Sequence, residues 1–417
     1  MKILFVHQNF PAQYRHIVQA LVQQGGHEIV ALSMNQGGSM PGVTIIRHGA
    51  NIGKASTHPY LSLYEDNIQR GHSAAQTLEV LRERGFVPDV ICAHPGWGEA
   101  LFLKAIFPNA KLLCYQEFYY RSSGSDVDFD PEYPPASKDY SLTTSLRNST
   151  ILQSLAQADF NLSPTRWQKA QFPDLFQPRI KVLHDGIDTT LVKPDPNAYI
   201  ELKGLGVRLT PQDEVITFVN RNLEPYRGFH TFMRSLPALL RARPKAHVLI
   251  VGGDEVSYGR SLPDGQTYRQ KYMAEVGAQL DMERVHFVGR IPYPVFLNLL
   301  QISSVHVYLT YPFVLSWSLL EAMSAGCAIV GSATPPVLEV MTHEENGLLV
   351  DFFSPEQVLA AIERVLDHPD RMADMRSRAR QFVVDHYYLQ RICLPAHLDL
   401  IHRVATAKTM KDLDLLV

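Results

Sequence analysis

The feature that most constrains this chain is a repeated alternation of short apolar runs with longer helix-patterned stretches, carried through two successive halves. In the first half, apolar runs at 2–6, 28–32, 89–93, 111–115, 160–162 and 180–183 read as strands. Residues 12–24, 61–84, 97–106 and 141–157 read as helices between them, and another opens at Ser163-Pro164-Thr165. Strands separated by helices need a parallel sheet with helices covering its faces. The second half repeats the pattern, with strands at 215–219, 248–251, 285–288, 305–309, 328–330 and 347–350. Its helices fall near 229–241, 266–280, 293–301, 317–325 and 355–366, and the tail from about 368 is helical in pattern. Asp195-Pro-Asn197 and Thr210-Pro-Gln-Asp213 punctuate a weakly patterned region that reads as an interdomain linker. The expectation is an α/β chain of two doubly wound domains facing an interdomain cleft. Ligands in such sheets bind outside the carboxyl ends of the strands.

A chain of 417 residues can supply each half with its own core. Hydrophobic content of 46% and charged content of 19% fit an ordinary soluble globular protein. The formal charge of -3 gives no footprint for a polyanion, which excludes nucleic acid as the main partner. Cys92, Cys114, Cys327 and Cys393 stand far apart in apolar runs, as reduced thiols of a cytoplasmic protein would. The N-terminal apolar run is too short for a signal peptide, and no window reaches the ~18 apolar residues of a membrane span.

Two motifs are set aside. Asp126-Val-Asp128 has the spacing of a metal-binding pair, but it stands in a Pro-rich loop (121–138) and reads as solvated acids, with no metal expected. The loop itself reads as a mobile lid or an acceptor-facing edge. Gly252-Gly253 follows a strand without the third glycine of a dinucleotide fingerprint, which makes a dehydrogenase a poor second reading.

The most informative stretch runs from Tyr311 to Gly326. A strand feeds a turn at Pro312, then an apolar helix capped by Ser316 and stopped by Gly326. A strand running into a helix N-terminus offers free N–H groups and a favourable dipole to a phosphate. Leu319, Leu320 and Met323 supply a face for packing on the sheet, which leaves Glu321 to be explained. A carboxylate there could take two ribose hydroxyls.

Several segments together resemble the retaining nucleotide-sugar glycosyltransferases of family 4, of the two-Rossmann (GT-B) architecture. They are Phe218-Val-Asn-Arg221 with Arg227-Gly228, Val248-Leu-Ile-Val-Gly-Gly253 and Val285-His-Phe-Val-Gly-Arg290. Leu320-Glu-Ala-Met-Ser-Ala-Gly-Cys-Ala-Ile-Val330, Glu339 and Asn346-Gly-Leu-Leu-Val350 continue the series. In the first half Asp89-Val-Ile-Cys-Ala-His94 and Val182-Leu-His-Asp-Gly-Ile-Asp188 match, the latter with His184 where Asn is usual. The resemblance spans nearly the whole chain and implies two Rossmann-like domains. Residues 1–190 would form an acceptor domain and 191–384 a nucleotide-sugar donor domain, with helices from about 385 to 417 packing back on the first.

The resemblance also implies roles. Arg221 and Arg227 would neutralise the donor diphosphate, and His94 and Glu117 would supply polar groups at the reacting centre. Arg290 and Ile291 would frame the base, the turn Phe313, Val314, Leu315, Ser316 and Trp317 would bind phosphate or sugar, and Glu321 would hold the ribose. No cofactor or metal is implied beyond the substrate, with UDP the expected nucleotide. The family's first glutamate, eight positions before Glu321, is replaced by Phe313, and its glycine pair by Asn9-Phe-Pro-Ala-Gln13. The implied reaction is retaining transfer of a hexose, from UDP-glucose or a similar donor, to a saccharide or lipid-linked saccharide in polysaccharide biosynthesis. A lipid-linked acceptor would make weak peripheral membrane association sensible. The rivals are a GT-B sugar-nucleotide epimerase or phosphorylase and, given Phe313, a non-catalytic nucleotide-sugar-binding protein.

Overall fold

The computed structural model describes residues 1–35, 38–54, 56–135, 137–202 and 206–416. The chain divides into two compact units. One comprises 1–128, 135–186 and 390–417, the other 129–134 and 187–389. The joins thus follow Gly186 and Leu389, where the sequence reading put them near 190 and 385.

The N-terminal unit holds seven parallel strands: β1 (Lys2–Val6), β2 (Glu28–Ser33), β3 (Thr44–Arg47), β4 (Val90–Ala93), β5 (Lys111–Tyr115), β6 (Phe160–Ser163) and β7 (Ile180–Val182). Their order is β3-β2-β1-β4-β5-β6-β7. Alternation along β1 sends Ile3 and Phe5 to one face, with Val18, Leu21, Leu400 and Val404, and Leu4 and Val6 to the other, with Ala74, Leu78 and Leu103. The helix Leu394–Thr406 is therefore part of this core, and Lys181 Nζ donates to the Leu416 carbonyl (2.5 Å). The helix expected at 97–106 is only Leu103–Ile106. Gly98 breaks it: φ is 105°, and a Cβ there would lie 2.2 Å from the Asn67 carbonyl oxygen.

The C-terminal unit contains a hairpin, β8 (Ile200–Leu202) with β9 (Val207–Leu209). Six parallel strands follow: β10 (Val215–Asn222), β11 (His247–Gly253), β12 (Val285–Gly289), β13 (Val305–Tyr308), β14 (Ala328–Ser332) and β15 (Leu348–Val350). Their order is β12-β11-β10-β13-β14-β15. The hairpin corrects the linker reading of 195–213: Ile200, Leu202 and Leu209 are buried in this unit's core. Residues 129–134 also pack here, which a polar lid does not anticipate. Asp126 is likewise 3% exposed rather than solvated, while Asp128 accepts from the Gly124 N–H (2.9 Å). Among the described residues no helix is long and apolar enough to cross a membrane.

In each sheet the strand order reverses once, between β1 and β4 and between β10 and β13. The carboxyl ends of those strand pairs are where a doubly wound sheet leaves a crevice.

Candidate functional site

The carboxyl end of β10 and segments that follow β10, β11, β12 and β13 line a cavity of about 550 Å³. Val219, Asn220, Arg221, Arg227, Arg290, Ile291, Tyr293 and Ser316 are among the residues lining it. Four of the sequence-derived candidates, Arg221, Arg227, Arg290 and Ile291, thus meet Ser316 in one crevice.

Arg227 is fixed from several sides. It ends the short 3-10 turn Pro225–Arg227, which is closed by Gly228 in the left-handed region (φ 68°). A Cβ at Gly228 would meet the Leu309 Cβ at 2.3 Å, so the chain needs glycine to pass β13 here. Arg227 is 5% exposed. Its Nη1 donates to Thr310 Oγ1 (2.7 Å), the Val314 carbonyl (3.1 Å) and the Tyr308 hydroxyl (3.4 Å), and its guanidinium faces the Tyr258 ring at 5.2 Å. Burial works against the charge, but Tyr308, Tyr258 and Glu224 outweigh it and the net shift is upward, so Arg227 stays a cation.

Glu224 is held by backbone amides. Fully buried, it accepts from the backbone N–H groups of Ser257 (3.1 Å), Tyr258 (3.2 Å) and Gly259 (2.8 Å), which holds the loop that sets Tyr258 over Arg227. Arg290 donates to Asn222 Oδ1 (2.9 Å) and pairs with Glu255.

The turn after β13 behaves as its residues suggest. Ser316 caps Trp317–Ser324 by accepting from the Ser318 N–H, and its own N–H donates to the Tyr308 hydroxyl (2.9 Å). The Arg227 bond holds the Val314 carbonyl, and Leu315 is buried. Trp317 is 44% exposed. Phe313 turns into an aromatic cluster, 5.6 Å from the Tyr226 ring and 5.1 Å from that of Tyr258. Glu321 accepts a hydrogen bond from the Tyr293 hydroxyl (2.7 Å). Burial raises its pKa and that bond partly offsets the rise.

In the N-terminal unit, His94 follows β4 and His7 follows β1, with ring centroids 5.0 Å apart. The Trp97 ring stacks on His94 at 4.6 Å and Tyr115 lies 5.7 Å away. His94 Nδ1 accepts from the Gly96 N–H (3.2 Å), which leaves the proton on Nε2, 3.5 Å from Glu117 Oε2. Burial and the neighbouring His94 hold His7 down to about 2, so it is neutral. The structure thus brings His94 and Glu117 together in one unit and the donor candidates in the other. Sequence reasoning missed Tyr258, Tyr293, Asn222 and His7. His7 follows β1 and Asn222 ends β10, the one signal that could have found them.

Two family models divide the chain between them. Glycosyl transferase family 4 matches residues 25–192 and glycosyl transferases group 1 matches 207–382. The chain belongs to the family 4 glycosyltransferases. This GT-B member is 26% identical over 204 residues to the D-inositol 3-phosphate glycosyltransferase of Rhodococcus jostii, covering 48% of this chain and 42% of that protein. It is 24% identical over 260 residues to the GDP-mannose-dependent alpha-(1-6)-phosphatidylinositol monomannoside mannosyltransferase of Mycolicibacterium smegmatis, covering 55% and 59%. The chain thus spans about half the length of the curated relatives it matches. Similar solved structures include Anabaena Alr3699/HepE in complex with UDP and glucose, with a TM-score of 0.67 at 17% identity over 96% of this chain and 99% of that one. Sucrose-phosphate synthase from Thermosynechococcus elongatus has a TM-score of 0.72 at 18% identity, over 98% and 100%. At these identities the likeness is one of fold.

Proposed function

We propose that the protein is a retaining glycosyltransferase that moves a hexose from a nucleotide sugar, UDP-linked, to a saccharide or lipid-linked saccharide. The observation that carries this reading is the convergence of Arg221, Arg227 and Arg290 on one cavity beside the capped N-terminus at Ser316, with Glu321 about a turn and a half beyond. A nucleoside diphosphate leaving group gains charge as its bond to the sugar breaks. Fixed cations and oriented N–H donors stabilise that charge most in a partly desolvated site. Metal independence is part of the proposal, with arginines supplying the compensation. Glu321 takes the ribose hydroxyls, and Ile291 with its neighbours frames the base. Retention would follow front-face attack: the acceptor oxygen bonds the anomeric carbon, the sugar–phosphate bond breaks, and the leaving phosphate takes the acceptor proton. His94 and Glu117 are assigned to the acceptor side.

UDP is preferred because the similarly folded Anabaena protein is known with UDP and glucose, while the mycobacterial relative is named for GDP-mannose. A thermal-shift panel of UDP- and GDP-sugars followed by calorimetry separates the two, since a bound ligand raises apparent stability by mass action. The expected result is stabilisation by UDP-sugars, slow release of free sugar without acceptor, and no loss of either in EDTA. Interconversion of one UDP-sugar into another would instead make the protein an epimerase. Binding without release of sugar, with any acceptor tried, would make it a binding protein.

A further inference from the structure

Residues Phe129-Asp-Pro-Glu-Tyr-Pro134 stand apart from their sequence neighbours, because the chain before and after them belongs to the N-terminal unit and these six pack in the C-terminal one. The Phe129 ring lies 5.2 Å from that of Tyr311, 5.1 Å from Phe352 and 5.0 Å from Phe353. Asp130, 2% exposed, accepts from the Tyr311 hydroxyl (2.5 Å) and lies 3.2 Å from His230 Nε2. Glu132 takes Arg234 (2.7 Å) and Lys271 (3.1 Å), and the Tyr133 hydroxyl bonds that of Tyr272.

Tyr311 leads from this strap to the cavity. Its ring packs 4.5 Å from that of Tyr226, and its N–H donates to the Tyr226 carbonyl (2.9 Å). Tyr226 immediately precedes Arg227 and touches Phe313, which touches Tyr258 in the cavity wall. His230 stands in the first turn of Phe229–Ala242, the helix that follows Arg227-Gly228. One buried carboxylate therefore grips a residue from each segment that builds the phosphate end of the cavity, Tyr311 after β13 and His230 after β10. Docking the strap does not require it. Phe129 among three aromatic rings would hold apolar surface, and a buried carboxylate is costly unless its partners are well placed. Burial pushes Asp130 up, but the neighbouring His230 and the Tyr311 hydroxyl outweigh it and the net shift is downward.

We propose that Asp130 is a positioning residue for the nucleotide-sugar site, fixing the turn 311–316 against Tyr226-Arg227 through Tyr311 and His230. The inference rests on the donor reading above. Its test is calorimetric titration of the full chain with UDP and with GDP, alongside thermal unfolding, for the wild type, Asp130→Asn, Tyr311→Phe, their double variant and Glu132→Gln. Asp130→Asn and Tyr311→Phe each weaken nucleotide binding about tenfold, and the double variant is no weaker than either, because both cut one path. Glu132→Gln loosens the exposed ion pairs of the strap, lowering Tm while leaving the nucleotide Kd unchanged. A strap that only stabilises the fold would lower Tm in every variant and move no Kd, which overturns the inference, as would additive losses in the double variant. If Asp130→Asn fails to fold, Tyr311→Phe decides alone: it keeps the ring and loses only the hydroxyl, so unchanged affinity there is equally fatal. Binding of neither nucleotide to the wild type sinks the donor reading and this inference with it, whereas binding that the variants leave untouched sinks the inference alone.

Discussion

Replacing Arg227 by methionine keeps much of the side chain's length and removes its charge and all of its donors. In the folded protein Nη1 serves Thr310, the Val314 carbonyl and Tyr308 at 2.7, 3.1 and 3.4 Å. Leaving the buried Thr310 hydroxyl without this donor costs stability by about 1–3 kcal/mol, partly offset because a buried cation no longer has to be desolvated. The effect on ligand is separable. A hydrogen bond from a charged donor to phosphate contributes about 1.5–3 kcal/mol, or roughly 10- to 150-fold in Kd. Calorimetry with UDP and with uridine distinguishes the two effects. If Arg227 meets the diphosphate, UDP weakens by that factor and uridine, which lacks phosphate, changes little. Equal weakening of UDP and uridine would mean general loosening of the cavity, and an unchanged UDP affinity would refute the assignment.

Three further expectations follow from the same geometry. Glu321→Gln should weaken UDP about tenfold but leave the 2′,3′-dideoxy analogue nearly unaffected if, of the ligand's groups, the ribose hydroxyls are the ones that meet the carboxylate; calorimetry reads both. Gly228→Ala places a Cβ on Leu309 in a left-handed conformation, so a loss of at least about 2 kcal/mol in urea unfolding is expected, with weaker UDP binding as Arg227 shifts. Burial lowers His184 and His306 to about 3, His7 to about 2 and His397 to about 4, from an unfolded value of 6.5. Their folded values are depressed, so the stability they support is present above pH 6.5 and is lost as pH falls toward the folded values. Each can remove up to about 1.4 kcal/mol per pH unit over that range, and Tm should drop steeply between pH 7 and pH 5. A flat Tm across that interval would contradict the assignment of these histidines as buried and neutral.

Much of the candidate site was legible because its signals are local. A strand ending in a turn, a serine cap at Ser316, a left-handed glycine at Gly326 and a carboxylate among apolar neighbours can all be read within one short stretch. The strand and helix alternation was legible for the same reason, since buried parallel strands read as apolar runs. What was missed depends on distant partners. The hairpin at 200–209 has strands of three residues each, too short to show a period, and only burial in the core defines it. Glu224 reads as a surface acid until the amides of Ser257, Tyr258 and Gly259 close on it. Phe313, an anomaly beside the family pattern, becomes a packing residue once Tyr226 and Tyr258 are seen around it. Asp130 is one of the acids of the Pro-rich loop 121–138, and its neighbours Tyr311 and His230 lie 181 and 100 positions further along the chain.

The central claim is that the crevice at the ends of β10 and β13 holds a nucleoside diphosphate sugar. A crystal structure grown with UDP tests it most directly. The expected result is phosphate oxygens within hydrogen-bonding distance of Arg221 or Arg227, at the N-terminus capped by Ser316, with both ribose hydroxyls on Glu321. UDP bound away from these residues, or turned so that its ribose does not meet Glu321, would contradict it.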